Sequence, residues 1–245
     1  MGTIMSVELS IFLTGTFAAA YVTGLAGFAF GMVAAAIWLH TLTPVQTTAL
    51  IVAYAFLVQG YAVWKLRNNL NMSRLMPFIA GSAIGIPAGV VVLKWASPSD
   101  LRIAVGSLLI AFSLYNFARP ILPVVKGERS IIDGVVGISN GILGGATGLG
   151  GILPTIWCGF RGWTKDEQRA VFQPTAVATF LMTILWLGGA GTLTADVGRL
   201  FVVGLPALIV GTWLGWKSYG RLDEAGFRKV VLVLLLVSGV TLVAV

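Results

Sequence analysis

The chain has 245 residues, 57% of them hydrophobic and only 10% charged, with a mean hydropathy of +0.93. A soluble globular domain carries about 25% charged residues, and lipid is the solvent that lets so much apolar surface face outward. An ordinary soluble protein is excluded, and the length suits one membrane domain, 1–245, in a bilayer.

The net charge of +7 forms no dense Lys/Arg cluster, so nucleic acid is excluded as a partner. Cys158 and His40 are the single cysteine and the single histidine. No intrachain disulfide, Cys-based zinc site or His-cluster metal site can form, and no metal or cofactor is expected. Met1 to Glu8 lacks Lys and Arg, which argues against a signal peptide and keeps the first apolar segment in the fold.

Eight apolar segments follow in chain order. Leu9–Leu39 is a stretch of about 30 residues, longer than the ~20 that one crossing needs, and is broken at Thr23-Gly24-Leu25-Ala26-Gly27. Pro44–Trp64, Leu75–Trp95 and Leu101–Pro120 come next, then a basic linker at 121–130. Ile131–Phe160 is the second long stretch, broken at Gly144-Gly145-Ala146-Thr147-Gly148-Leu149-Gly150-Gly151. Ala170–Gly189, Val197–Trp216 and Phe227–Val245 complete the series. Glycine is unfavourable in a helix interior by about 1 kcal/mol against alanine, so each glycine cluster marks a break.

The basic residues decide how the long stretches run. If each crosses once, the 16 Lys and Arg divide 7 to 9 between the two sides. If each enters and returns as a hairpin, thirteen fall on one side and three (Lys94, Arg102 and Arg199) on the other. The bias of positive charge towards the cytoplasm favours hairpins, with both termini outside and Arg119–Arg129 inside. Arms of about 15 residues would reach about 22 Å, short of the ~30 Å hydrocarbon core. Re-entrant arms and short tilted spans both fit.

The halves resemble each other. Leu25–Ala29 aligns with Ala146–Gly150, and Thr43-Pro44 with Thr164-Lys165, at an offset of 121; Gly85-xxx-Gly89 aligns with Gly211-xxx-Gly215 at 126. The expected fold is an all-α polytopic membrane protein of two inverted-topology repeats, about 8–120 and 131–245. Each repeat is a Gly-broken hairpin plus three transmembrane helices. Inverted repeats with broken helices characterise transporters, with the site near the midplane.

All nine acidic residues lie in loops or near segment ends, so no mid-membrane proton relay is expected. The lone His40 leaves no catalytic triad, and an enzyme is not expected. The breaks offer another chemistry. A half-helix starting there presents free N–H groups and the positive end of its dipole, which together suit an anion. Thr23 and Thr147 add hydroxyls, Gly24, Gly27, Gly148, Gly150 and Gly151 permit close approach, and Phe28 is counted with the candidate substrate-binding residues of the first break. Asn140, Arg169 and Gln173 (before the kinking Pro174) could line a polar cavity near the second break. Against this, the glycines also read as close-packing elements, Asn140 and Gln173 as interhelical bonds, and Arg169 as a snorkelling charge.

The Gly-rich hairpin before a Thr-Pro turn, repeated as Gly144–Gly151 before Gly162-Trp163-Thr164, resembles the TauE/SafE family of bacterial membrane transporters over essentially the whole chain. The second motif, Gly145-Ala146-Thr147-Gly148-Leu149-Gly150-Gly151, is the closer match. The first, Gly24 to Gly31, has Phe28 and Phe30 where the family often has glycine. The resemblance implies a bacterial inner-membrane protein moving sulfite or an organosulfonate, the bilayer and a small sulfur oxyanion being its partners. Residues alone support only a small anion. Export driven by the anion gradient and membrane potential is expected; import of the same anions, or a scaffold without a substrate path, is the alternative. A mass of 25.8 kDa suits a monomer or a homodimer.

Overall fold

The computed structural model describes residues 2–26, 29–66, 70–118, 125, 130–218 and 224–244. Regular structure among them is helical throughout. The helices are α1 (Gly2–Ala26), α2 (Phe30–Trp38), α3 (Pro44–Leu66), α4 (Met72–Trp95), α5 (Pro98–Ala118), α6 (Ser130–Thr147), α7 (Ile152–Phe160), α8 (Lys165–Gly189), α9 (Ala195–Ser218) and α10 (Glu224–Ala244). Five spans, within α1, α4, α5, α8 and α9, are long and apolar enough to cross a bilayer. Each apolar segment is found as helix, and the two long ones are divided near their glycines. Gly27, Phe28, Arg119 and Arg129 lie outside the described residues.

The hairpin arms are unequal, unlike the two similar arms expected. α1 has 25 residues and α6 has 18, whereas α2 and α7 have nine each. Nine residues rise about 14 Å, roughly half the hydrocarbon thickness. The cause is visible in the second hairpin. Gly144 and Gly145 do not turn the chain; they lie within α6 and serve close packing, with Thr179 where a Cβ of Gly144 would be and the Ile86 carbonyl where one of Gly145 would be. α6 ends only where Gly148 takes φ 75°. The Gly148 N–H then bonds the Gly144 carbonyl at 2.8 Å, a left-handed helix cap.

The chain forms two compact units that interleave the sequence, Met1–Tyr54 with Ala96–Pro120 and Thr194–Val245, and Ala55–Trp95 with Ile121–Leu193. In the second unit, α4 packs on α6 through facing glycine rows. Gly81, Gly85 and Gly89 oppose Gly137, Gly141 and Gly145, four residues apart on each helix. A Cβ at Gly85 would strike the Ile138 carbonyl oxygen, and one at Gly141 the Ser82 carbonyl. Small residues let the backbones approach this closely. In the first unit, α9 packs on α1, with Gly211 against the Phe17 carbonyl and Gly215 against that of Tyr21. In both units, therefore, the fourth helix of one half rests on the first helix of the other.

The first unit is tied by aromatic donors. Trp38 Nε1 donates to the Phe12 carbonyl at 3.2 Å, and Tyr54 OH to that of Phe201 at 2.8 Å. Gly204 leaves room for the Tyr54 hydroxyl. The helices after the hairpins start alike. Thr43 and Gln46 exchange side chain–backbone bonds at α3, and Thr164 and Glu167 form the same box at α8, satisfying free N–H groups at both ends.

Two outcomes follow. Gly85→Ala should destabilise the protein in detergent by about 1–3 kcal/mol through overpacking. Gly134→Ala, on α6 with open space around it, should leave stability unchanged or slightly raised. Equal melting temperatures would refute the glycine-row account. Separately, Ala29 caps α2 at φ 82°, a conformation that disfavours a side chain by about 1–2 kcal/mol. Ala29→Gly should therefore raise the unfolding temperature, and a fall would show that no strain resides there.

Candidate functional site

The second break is built around Asn140, whose side chain is fully buried on α6. Its Oδ1 accepts the Gly151 N–H at 2.7 Å, and its Nδ2 donates to Ser82 Oγ at 3.2 Å and Thr179 Oγ1 at 3.1 Å. One amide thus holds the start of α7 to α6, α4 and α8. Ser82 Oγ donates to the Gly137 carbonyl at 3.1 Å and Thr179 Oγ1 to that of Thr175 at 2.8 Å. Both hydroxyls are thereby oriented to accept from Asn140.

Thr147 satisfies a second backbone group. Its hydroxyl donates to the Leu143 carbonyl at 2.7 Å and accepts the Leu149 N–H at 3.2 Å. Gly151 stands at φ 99°, and a Cβ there would meet that of Ala176 at 2.7 Å. Gly150 faces Thr179 and Phe180. The first intrahelical bond of α7 runs from Thr155 N to the Gly151 carbonyl, 3.0 Å. Pro154 has no N–H to give, and the first turn is where proline is tolerated. What remains is specific. Gly150 and Gly151 form a turn that the first turn of α7 closes onto Leu149, and beyond that turn the N–H groups of Gly150, Ile152 and Leu153 have no close backbone acceptor among the described residues.

Asn140 lies about 15 Å along α6 from Ser130 at 1.5 Å per residue. α7 returns from there to the base of the hairpin, where Asp133 accepts from Trp157 Nε1 at 2.6 Å and faces Arg161 at 3.9 Å. The Arg161 and Asp133 side chains are only 7% and 8% exposed. Asp133 is in the first turn of α6 and Arg161 caps the C-terminus of α7, so both charges suit the helix dipoles. At the same end, Arg74 pairs with Glu167 at 2.9 Å, and Arg74 and Arg161 both lie over the Trp163 ring.

The expected site residues divide accordingly. Asn140, Thr147, Gly148, Gly150 and Gly151 come together at the break. Gln173 is buried one turn before Ala176 and has its own polar or ring contact. Arg169 is exposed and lies about 15 Å before Thr179 along α8. In the first unit, the Thr23 hydroxyl turns back to the Ala19 carbonyl at 2.7 Å, and a Cβ at Gly24 would meet the Thr212 carbonyl at 2.5 Å. Gly24 is therefore a packing glycine. Sequence reasoning missed Ser82 and Thr179. Their signals were a serine inside the Gly81–Gly85 row and a threonine every fourth residue at 175, 179 and 183.

Compared with known proteins, the chain matches one family model over residues 11–242, described as "Sulfite exporter TauE/SafE". No curated protein and no solved structure matches it.

Replacing Asn140 by Leu leaves the Gly151 N–H without its acceptor and should destabilise the fold by about 1–3 kcal/mol. Asn140→Asp keeps an acceptor there and should retain more stability than the Leu variant. Chemical denaturation in detergent measures both, and a Leu variant as stable as the parent would show that the amide does not hold the break.

Proposed function

The chain belongs to the TauE/SafE family of membrane transporters, and we propose that it exports sulfite or a small organosulfonate from the cytoplasm across the inner membrane. The observation that carries this reading is the start of α7 at Gly150–Leu153, whose N–H groups have no close acceptor among the described residues beyond the turn at Leu149. Backbone donors left open at membrane depth are unfavourable by several kcal/mol each. A sulfur oxyanion supplies the missing acceptors and meets the positive end of the α7 dipole.

The direction rests on charge. The thirteen-to-three distribution of Lys and Arg supports a hairpin base facing the cytoplasm and both termini outside. An inside-negative potential then favours anion exit by about 2.3 kcal/mol per charge per 100 mV. The acidic side chain nearest the break along the hairpin, Asp133, is engaged at the base by Arg161 and Trp157. A proton-coupled cycle would need a carboxylate at the break itself.

Efflux of sulfite and of methanesulfonate, whose charge is constant with pH, should be followed from proteoliposomes. An imposed inside-negative potential should accelerate both, and a protonophore at fixed potential should change neither. Flux that follows the proton gradient and ignores the potential would overturn uniport. Absence of flux for both anions would overturn the substrate assignment.

A further inference from the structure

Six threonines inside these helices, Thr16, Thr23, Thr147, Thr155, Thr175 and Thr179, turn the hydroxyl back onto the carbonyl four residues earlier, at 2.7–2.8 Å. Thr183 does not, and neither do Thr47 and Thr212 in the first unit. The Thr183 side chain is 0% exposed, yet its Oγ1 has no hydrogen-bond partner. In the second unit it is the only hydroxyl in that condition among the described residues. An unpaired buried hydroxyl is destabilising, and valine would fill nearly the same volume without it.

Its place on α8 gives the unpaired group a meaning. Residues four apart share one helix face, so Thr183 stands one turn beyond Thr179 on the same face. That face looks onto the break, since Thr179 Oγ1 accepts from Asn140 and a Cβ at Gly144 or Gly150 would meet Thr179 Cγ2. α8 starts beside the hairpin base, where Glu167 meets Arg74. The turn beyond Thr179 is therefore on the side of the break away from the base.

We propose that Thr183 is a substrate-contacting residue whose hydroxyl donates to the anion held at the start of α7. The proposal rests on the reading of the break as an anion site. The site then combines backbone N–H donors at the start of α7 with one side-chain hydroxyl from a different helix. The hydroxyl can rotate from its unpaired state to the anion without giving up a bond within the protein. Thr175 and Thr179 would each have to release a helix carbonyl to do the same.

The test is transport of sulfite and methanesulfonate by wild type, Thr183→Val, Thr183→Ser and Thr175→Val in proteoliposomes, with melting temperatures in detergent. Thr183→Val should raise KM about tenfold, the equivalent of 1.4 kcal/mol, with little change in maximal rate. It should melt no lower than wild type, because an unpaired hydroxyl has been removed. Thr183→Ser should restore KM to within about twofold, and Thr175→Val should leave KM unchanged. A purely structural Thr183 would leave KM untouched in the Val variant, and that result overturns the proposal while wild-type flux still supports the site. Loss of flux in wild type itself removes the site and the proposal together. If Thr183→Val fails to accumulate, Thr183→Ala is read by the same criterion.

Discussion

A backbone N–H that emerges inside hydrocarbon has no water to bond. The second hairpin breaks a helix between α6 and α7, and several of the N–H groups freed there are bonded within the protein. Gly148 bonds back to Gly144, Leu149 takes the Thr147 hydroxyl, and Gly151 takes the Asn140 amide. Proline at position 154 removes one donor by covalent structure. These devices depend on tertiary packing. Asn140 can serve Gly151 only while Ser82 and Thr179 hold its other end, and Ser82 reaches the Gly137 carbonyl at 3.1 Å only because two glycine rows bring α4 against α6. The close packing and the candidate site are thus one construction: the glycines that allow contact are what put the polar side chains in reach.

The two units solve similar problems with different side chains. Each hairpin has a long arm and a nine-residue return, and a threonine capping box starts the next helix in both. The first return begins at Ala29 with φ 82°, the second at Gly151 with φ 99°. Where the second unit relies on Asn140, Ser82 and Thr179, the first relies on Trp38 and Tyr54 donating to carbonyls within an aromatic cluster. Indole and phenol groups lock helices together while covering apolar area. The polar chemistry suited to an anion is gathered at the second break, and Gly24 in the first unit is taken up with packing.

Segment positions and break positions were legible in the sequence because hydropathy and glycine content are local properties. Arm lengths were not, because Gly144 and Gly145 are as flexible in isolation as Gly148. Within the fold they are packing glycines against Thr179 and Ile86, which no local pattern shows. Arg161 read as one more loop cation, and Asp133 as a segment-end acid. Their mutual burial needs α7 to fold back along α6, which no spacing rule reveals. Asn140 was singled out as a lone polar residue in an apolar run, but its partners lie 58, 39 and 11 residues away. The boxes Thr43-xx-Gln46 and Thr164-xx-Glu167 are a different case, since their spacing alone marks a helix start.

The choice of neutral groups at the break bears on turnover. In the second unit, Arg74 and Arg161 are engaged by Glu167 and Asp133 at the hairpin base, and Arg169 is exposed. On the proposed reading of the break, the attraction on an anion at α7 comes from N–H groups and a helix end carrying about half a charge. A buried arginine would bind the same anion more strongly through charge-assisted bonds, but a passage must release what it binds. Without an anion, that arginine would also be an uncompensated buried charge. Backbone donors held by a rigid amide give moderate affinity and an empty site the fold can tolerate, which is what repeated loading and release requires.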